Sequence, residues 1–190
     1  VAQIGYLFLM FPLAAGLAAM NLPVDPAVTG GMLQTISHAT AKAAMFLGAG
    51  LIYATLGHDR IADLQGVGRQ LPMTLLAFAL AGTSLVGLPP SGGFFAKWLL
   101  LSAALMTGQW WWVAVMVVGG LLTSCYVFVV VMRALVAVDG EKGAKIEIPR
   151  YREAVVLGLA LVSFLLGLLA LLPTDIVMIG RPLPVALGLP

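Results

Sequence analysis

Three ionisable side chains lie deep inside apolar stretches of this chain: His38 and Lys42 in ISHATAK, and Lys97 in LPPSGGFFAKWLL. His38 and Lys42 are four residues apart, which puts them on one face of a helix. Lys97 follows Pro89, Pro90, Ser91, Gly92 and Gly93, a run that removes backbone donors and admits unusual dihedrals, so a helix must break there. Asp25, Asp59, Asp63, Asp139, Glu141, Glu147, Glu153 and Asp175 are all the acidic residues, and each falls in a connector or at a helix end. A lysine held in a low-dielectric site without a carboxylate can exchange its proton. Arginine cannot, because it stays charged throughout the accessible pH range. The chemistry these residues suit is a proton relay.

Plainer readings stand beside that one. Lys42 could pair with a carboxylate on another subunit, His38 could make an interhelical hydrogen bond, and the break could be a packing kink. Snorkelling does not fit Lys97, since apolar sequence flanks it on both sides. A charge at the bilayer centre costs about 2.5–3.5 kcal/mol even on a permissive scale, so two such lysines call for a function. Gln34, Thr83, Ser84 and Ser91 could hold water or satisfy freed backbone groups. No nucleophile–base pair, metal-ligand cluster, haem-type spacing or dinucleotide fingerprint accompanies them, so no catalytic residue, metal or cofactor is expected.

The elements that position these groups follow from composition. Of 190 residues, 61% are hydrophobic and 9% charged, with a mean hydropathy of +1.05. Soluble domains carry about 25% charged residues, so the solvent here is lipid, and nucleic acid is not an expected partner. The single Cys125 excludes an internal disulfide and reads as a small packing residue. No basic n-region precedes the first apolar run, so no signal peptide is expected. A start at Val1 inside an apolar segment makes a fragment or processed chain the expectation.

Apolar runs predict spans at 1–20, 30–57, 72–107, 110–136 and 152–172. At about 1.5 Å per residue, the third would reach roughly 54 Å against a hydrocarbon core of about 30 Å. It is therefore two helices, 72–88 and 93–107, or one discontinuous helix. Loop charge decides between them. A single crossing puts Arg60, Arg69, Arg133, Lys142, Lys145, Arg150 and Arg152 on one side and only Arg181 on the other. A double crossing moves the 133–152 cluster across and spoils that asymmetry. The expected fold is an all-α polytopic membrane protein with about five crossings in one membrane domain, the third broken at Pro89–Gly93. The 58–71 and 133–152 loops are then cytoplasmic and the C-terminus lies opposite. Trp110, Trp111 and Trp112 start the fourth span at the far interface, as in an aromatic belt. Gly119-Gly120 reads as a close helix contact, with no strand or basic residue to make it a phosphate loop.

VAQIGY at 1–6, ISHATAKAAMFLGAG at 36–50 and LAGTSLVGLPPSGGFFAKWLLL at 80–101, taken in order, resemble the antiporter-like membrane subunits of respiratory complex I. Multi-subunit sodium/proton antiporters and membrane-bound hydrogenases share the pattern, and the resemblance covers essentially the whole chain. It implies a fourteen-helix subunit with two inverted five-helix repeats, of which this chain resembles the second repeat, without its opening helix, plus the last helix. It further implies that Lys42 passes protons along a central polar axis, that His38 is the connecting histidine, and that Lys97 exchanges protons with the exit side. Some members carry Glu at the position of Lys97, and many carry a second histidine where this chain has Gln34. The resemblance implies an inner-membrane or organellar subunit moving protons in an NADH-quinone-oxidoreductase-like complex. Its expected partners are lipid, other membrane subunits and one chain that supplies the missing first repeat. A sodium/proton antiporter component without redox chemistry and a non-conducting scaffold for a soluble enzyme are the alternatives.

Overall fold

Within residues 2–20, 25–136 and 148–169, which the computed structural model describes, every regular element is helical. The first apolar run forms α1 (Ala2–Phe8) and α2 (Met10–Leu17) in place of one helix. Pro12 accounts for the interruption, because it lacks the N–H that would bond the Phe8 carbonyl four residues back. The second run forms α3 (Pro26–Leu56), starting four residues before its apolar stretch. Asp25 makes that early start possible: its carboxylate accepts from the Ala27 and Val28 N–H groups, and Pro26 occupies the first helical position. A short turn, α4 (Val67–Gln70), lies within the 58–71 connector.

The long third run divides into α5 (Pro72–Val86) and α6 (Gly92–Met106), followed by α7 (Trp110–Leu135) and α8 (Arg150–Leu169). α3, α7 and α8 are long and apolar enough to cross a membrane, while α5 and α6, with fifteen residues each, are not. At about 22 Å apiece they can cross only in series.

Contacts along α3 show that series arrangement. Gly30 lies against Ala96, Leu99 and Leu100 of α6; Ser37 lies beside Gly92 and Ser84 at the break; Gly48 lies against Thr74 and Phe78 of α5. Moving down α3 therefore retraces α6, the break and α5 in one antiparallel pass. α8 runs the same way as α5, from Glu153 at Thr74, through Ser163 at Ser84, to Gly167 at Pro90 and Ser91. α7 returns antiparallel, with Ala134 near Gly68, Val127 against Gly82, and Gly119 against Tyr6.

Alanines 41, 44, 77, 81 and 160 let α3, α5 and α8 approach closely, the small-residue packing expected where lipid supplies no hydrophobic drive between helices. α7 lies outermost, and Cys125 is exposed on it, so it does not pack internally. Gly66 N–H bonds the Val136 carbonyl at 2.9 Å, which joins the two connectors at one end of the bundle. Arg60, Arg69, Arg133, Arg150 and Arg152 are exposed at that end. Lys142 and Lys145, residues 170–172 of the last span, and the C-terminus with Asp175 and Arg181 lie outside the described residues.

Candidate functional site: an ammonium at a helix break

α5 ends at Gly87, whose φ of +87° is the left-handed conformation that favours glycine. The N–H groups of Gly87 and Leu88 both bond the Thr83 carbonyl, and Thr83 Oγ1 returns to the Leu80 carbonyl. α6 restarts at Ser91, whose hydroxyl accepts from Phe94 N–H and donates to the Leu88 carbonyl. Between the two, Pro89-Pro90 is a cis bond. The break is packed against protein: a Cβ at Gly93 would collide with the Ser84 carbonyl, and one at Gly167 would collide with Pro90 and Ser91. Irregular backbone at membrane depth survives by such burial.

Lys97 is 7% exposed and directs its ammonium back to the broken end. Nζ donates to the Leu85 carbonyl at 2.7 Å and to the Val86 carbonyl at 2.9 Å. These acceptors belong to the last turn of α5, where the helix dipole also favours a cation. The Tyr6 ring of α1 closes another side, its centroid 5.6 Å from Nζ, an arrangement worth about 0.5–2 kcal/mol. Two hydrogen bonds to a charged group contribute about 1.5–3 kcal/mol each, the same order as the several kcal/mol that burying an ion costs. No carboxylate among the described residues pairs with Lys97, so its ammonium is held by dipoles alone.

His38 sits on α3, one turn before Lys42 and beside Ser37 at the break. Its Nδ1 and the Oε1 of Gln34, one turn earlier, are buried without a hydrogen-bond partner among the described residues. Lys42 differs from Lys97: it is half-buried, and its Nζ lies 5.7 Å from the centroid of the exposed Phe46 ring. The structure thus buries Lys97, His38 and Gln34, while Lys42 is half-buried beside the exposed Phe46 ring.

Three residues were not singled out by the sequence, Tyr6, Ser163 and Glu153, and Ser37 stood out only as a small hydroxylated neighbour of His38 that leaves room for water or a close helix. Tyr6 sat in a noted motif, but nothing there tied it to Lys97. Ser37 and Ser163 join Ser84 in a buried hydroxyl cluster at the break. Glu153, although in the first turn of α8, is 4% exposed and accepts from Thr74 N–H at 3.0 Å and Thr74 Oγ1 at 3.1 Å. Ser163, a lone hydroxyl in the long apolar run of α8, was the one detectable signal. Among the described residues, no three His, Cys, Asp or Glu side chains group as metal ligands do.

The chain is similar to known membrane proteins over most of its length. A family model described as "NADH:quinone oxidoreductase/Mrp antiporter, TM" matches residues 1–123. NADH-quinone oxidoreductase subunit N of Desulforudis audaxviator is 37% identical over 149 residues, covering 78% of this chain and 28% of that protein. A Na(+)/H(+) antiporter subunit of Alkalihalophilus pseudofirmus is 30% identical over 102 residues, or 51% of this chain and 13% of the relative. A chain of the Mrp complex from Dietzia sp. DQ12-45-1b superposes with a TM-score of 0.75 at 26% identity, covering 88% of this chain and 38% of its own length. In each comparison this chain spans well under half of its relative.

Proposed function

Because this chain belongs to the NADH:quinone oxidoreductase/Mrp antiporter transmembrane family, we propose that it moves protons across the membrane as part of an antiporter-like subunit in a redox-driven complex. Lys97 is the exchanging group, His38 the connecting group, and Lys42 the link toward a neighbouring subunit or repeat. The observation that carries this reading is the Lys97 ammonium, buried at a helix break on two backbone carbonyls with no carboxylate partner among the described residues. Carbonyls accept from the ammonium but cannot compensate its charge as a carboxylate would. Neighbouring charge can then shift the balance between its charged and neutral forms.

Like charges on neighbouring groups repel, so a positive charge on one member of a Lys/His relay opposes charge on the next. A proton arriving at one site thereby promotes departure from another. Charge movement in adjacent subunits, acting through the same repulsion, drives uptake on one side and release on the other. The loops at 58–71 and 133–152 face the cytoplasm in this reading, supported by the arginines exposed at that end. The chain carries no redox cofactor of its own.

A second reading, a sodium/proton antiporter component without redox chemistry, draws support from the likeness to the Mrp complex and to the Alkalihalophilus antiporter. Proton and sodium flux in proteoliposomes containing the parent complex tests both, comparing wild type with Lys97→Ala and Lys42→Ala. Loss of proton flux in both variants is the expected result. Unchanged flux in both sinks the relay, leaving a membrane scaffold, and sodium-dependent flux without quinone or hydrogenase activity selects the antiporter.

A further inference from the structure

Most hydroxyls on these helices return to their own backbone. Thr40, Thr55, Ser102 and Thr123 each donate to a carbonyl four residues back in the same helix. Three serines do not, and they meet at one point. Ser37 of α3, Ser84 of α5 and Ser163 of α8 form a triangle of Oγ atoms with edges of 2.9 Å (37–84), 3.2 Å (37–163) and 2.8 Å (163–84). All three are at most 2% exposed. A fourth helix joins through Gly93 N–H of α6, which donates to Ser84 Oγ at 3.3 Å.

The protons of this junction can all be placed. With Gly93 N–H and Ser163 Oγ–H donating to Ser84, the Ser84 proton goes to Ser37 and the Ser37 proton to Ser163, closing the ring. Alternatively Ser163 donates to the Ser37 carbonyl at 2.9 Å, Ser37 donates to Ser163, and Ser84 donates to Ser37. Either order leaves no hydroxyl proton without an acceptor, so the junction is a complete polar unit in an apolar interior.

Its position relative to Lys97 gives it a role. Ser84 immediately precedes Leu85, whose carbonyl holds the ammonium, and Gly93 lies one turn before Lys97 on α6. The Ser84–Gly93 contact therefore sets how far the end of α5 stands from the start of α6. Ser163 sets the contact in turn, since α8 presses on the break, with Ser163 O placed 2.9 Å from where a Gly92 Cβ would be.

We propose that Ser163 is a positioning residue for Lys97: by closing the hydroxyl triangle, α8 fixes the two halves of the broken helix at the spacing the ammonium needs to reach the Leu85 and Val86 carbonyls. This rests on the reading of Lys97 as the exchanging group. The same helix carries the buried Glu153 in its first turn, so α8 touches α5 at both ends.

The test is the pH profile of proton flux through the parent complex in proteoliposomes, driven by an imposed potassium diffusion potential. Among the described residues, Tyr6 of α1, whose ring lies against Lys97, and His38 of α3, within electrostatic reach of it with Lys42 one turn beyond, are the ionisable groups near Lys97. Neither α2 nor α5 has an ionisable side chain, those of α7 are exposed, and Glu153 of α8 sits at the far end of α5. Ser163→Ala is expected to move the profile midpoint by half a pH unit or more. Ser163→Thr, which keeps the hydroxyl, is expected to stay within 0.2 unit of wild type. A Ser163→Ala profile reduced in height with its midpoint unmoved overturns the proposal, because packing loss alone does that. Should Ser163→Ala fail to assemble, Ser163→Cys, of similar shape but a weak donor, is held to the same criterion. Lys97→Ala run alongside separates the two ideas. Wild-type flux there removes the underlying reading and this inference together, whereas lost flux there with an unmoved Ser163→Ala midpoint removes the positioning role only.

Discussion

Lys97 and Glu153 hold opposite ends of the same fifteen-residue helix. Glu153 reaches from α8 to the first turn of α5 and accepts from Thr74, while Lys97 reaches from α6 to the last turn and donates to Leu85 and Val86. A carboxylate at the N-terminus and an ammonium at the C-terminus both suit the helix dipole. α5 thus has each end satisfied by a side chain from another helix, as a helix that stops halfway across a membrane requires.

Replacing Lys97 by Arg separates charge from proton exchange. Guanidinium keeps the charge at the α5 carbonyls but does not release a proton. Proton flux in Lys97→Arg is expected to fall at least tenfold, as in Lys97→Ala. Wild-type flux in Lys97→Arg would mean that the site needs a fixed charge, not a mobile proton.

Glu153→Ala leaves the buried Thr74 N–H and hydroxyl without their acceptor, a loss of about 1–3 kcal/mol. Glu153→Gln keeps an acceptor oxygen and is expected to cost less. Thermal unfolding of the purified parent complex should rank wild type above Gln and Gln above Ala. Equal melting temperatures for all three would show that the contact contributes nothing.

Gly93→Ala places a methyl group against the Ser84 carbonyl, which is backbone and cannot swing aside. Loss of the assembled complex is expected. Gly50→Ala meets nothing within 4 Å and removes a poor helix former from α3, a change worth up to about 1 kcal/mol in favour of the helix. Its yield should equal or exceed wild type. If Gly93→Ala also assembles normally, the break is looser than this packing requires.

Sidedness is open to thiol labelling in a Cys125→Ser background. Asp59 is exposed at the arginine-bearing end and Trp110 at the other. A membrane-impermeant maleimide added outside inverted vesicles should modify Asp59→Cys and spare Trp110→Cys, with the reverse in right-side-out vesicles. The opposite pattern would invert the proposed orientation.

The sequence by itself determined that lipid is the solvent, because 9% charged residues cannot cover a soluble domain, and that the 72–107 run breaks at its prolines and glycines. It also singled out Lys97, since an ammonium in hydrocarbon stands out against its neighbours. The single pass of the broken helix was legible through loop charge, which responds to sidedness alone and needs no knowledge of packing. What holds the ammonium was not legible. Leu85 and Val86 act through backbone carbonyls, which carry no residue signature, and they are acceptors only because the helix ends there. Tertiary structure also decided that Glu153, at a helix end like the other carboxylates, is buried on Thr74. In the same way it decided that serines 47 and 79 positions apart in the chain meet at one point. Periodicity reports which face of a helix a residue occupies; which neighbour covers that face depends on how the rods pack.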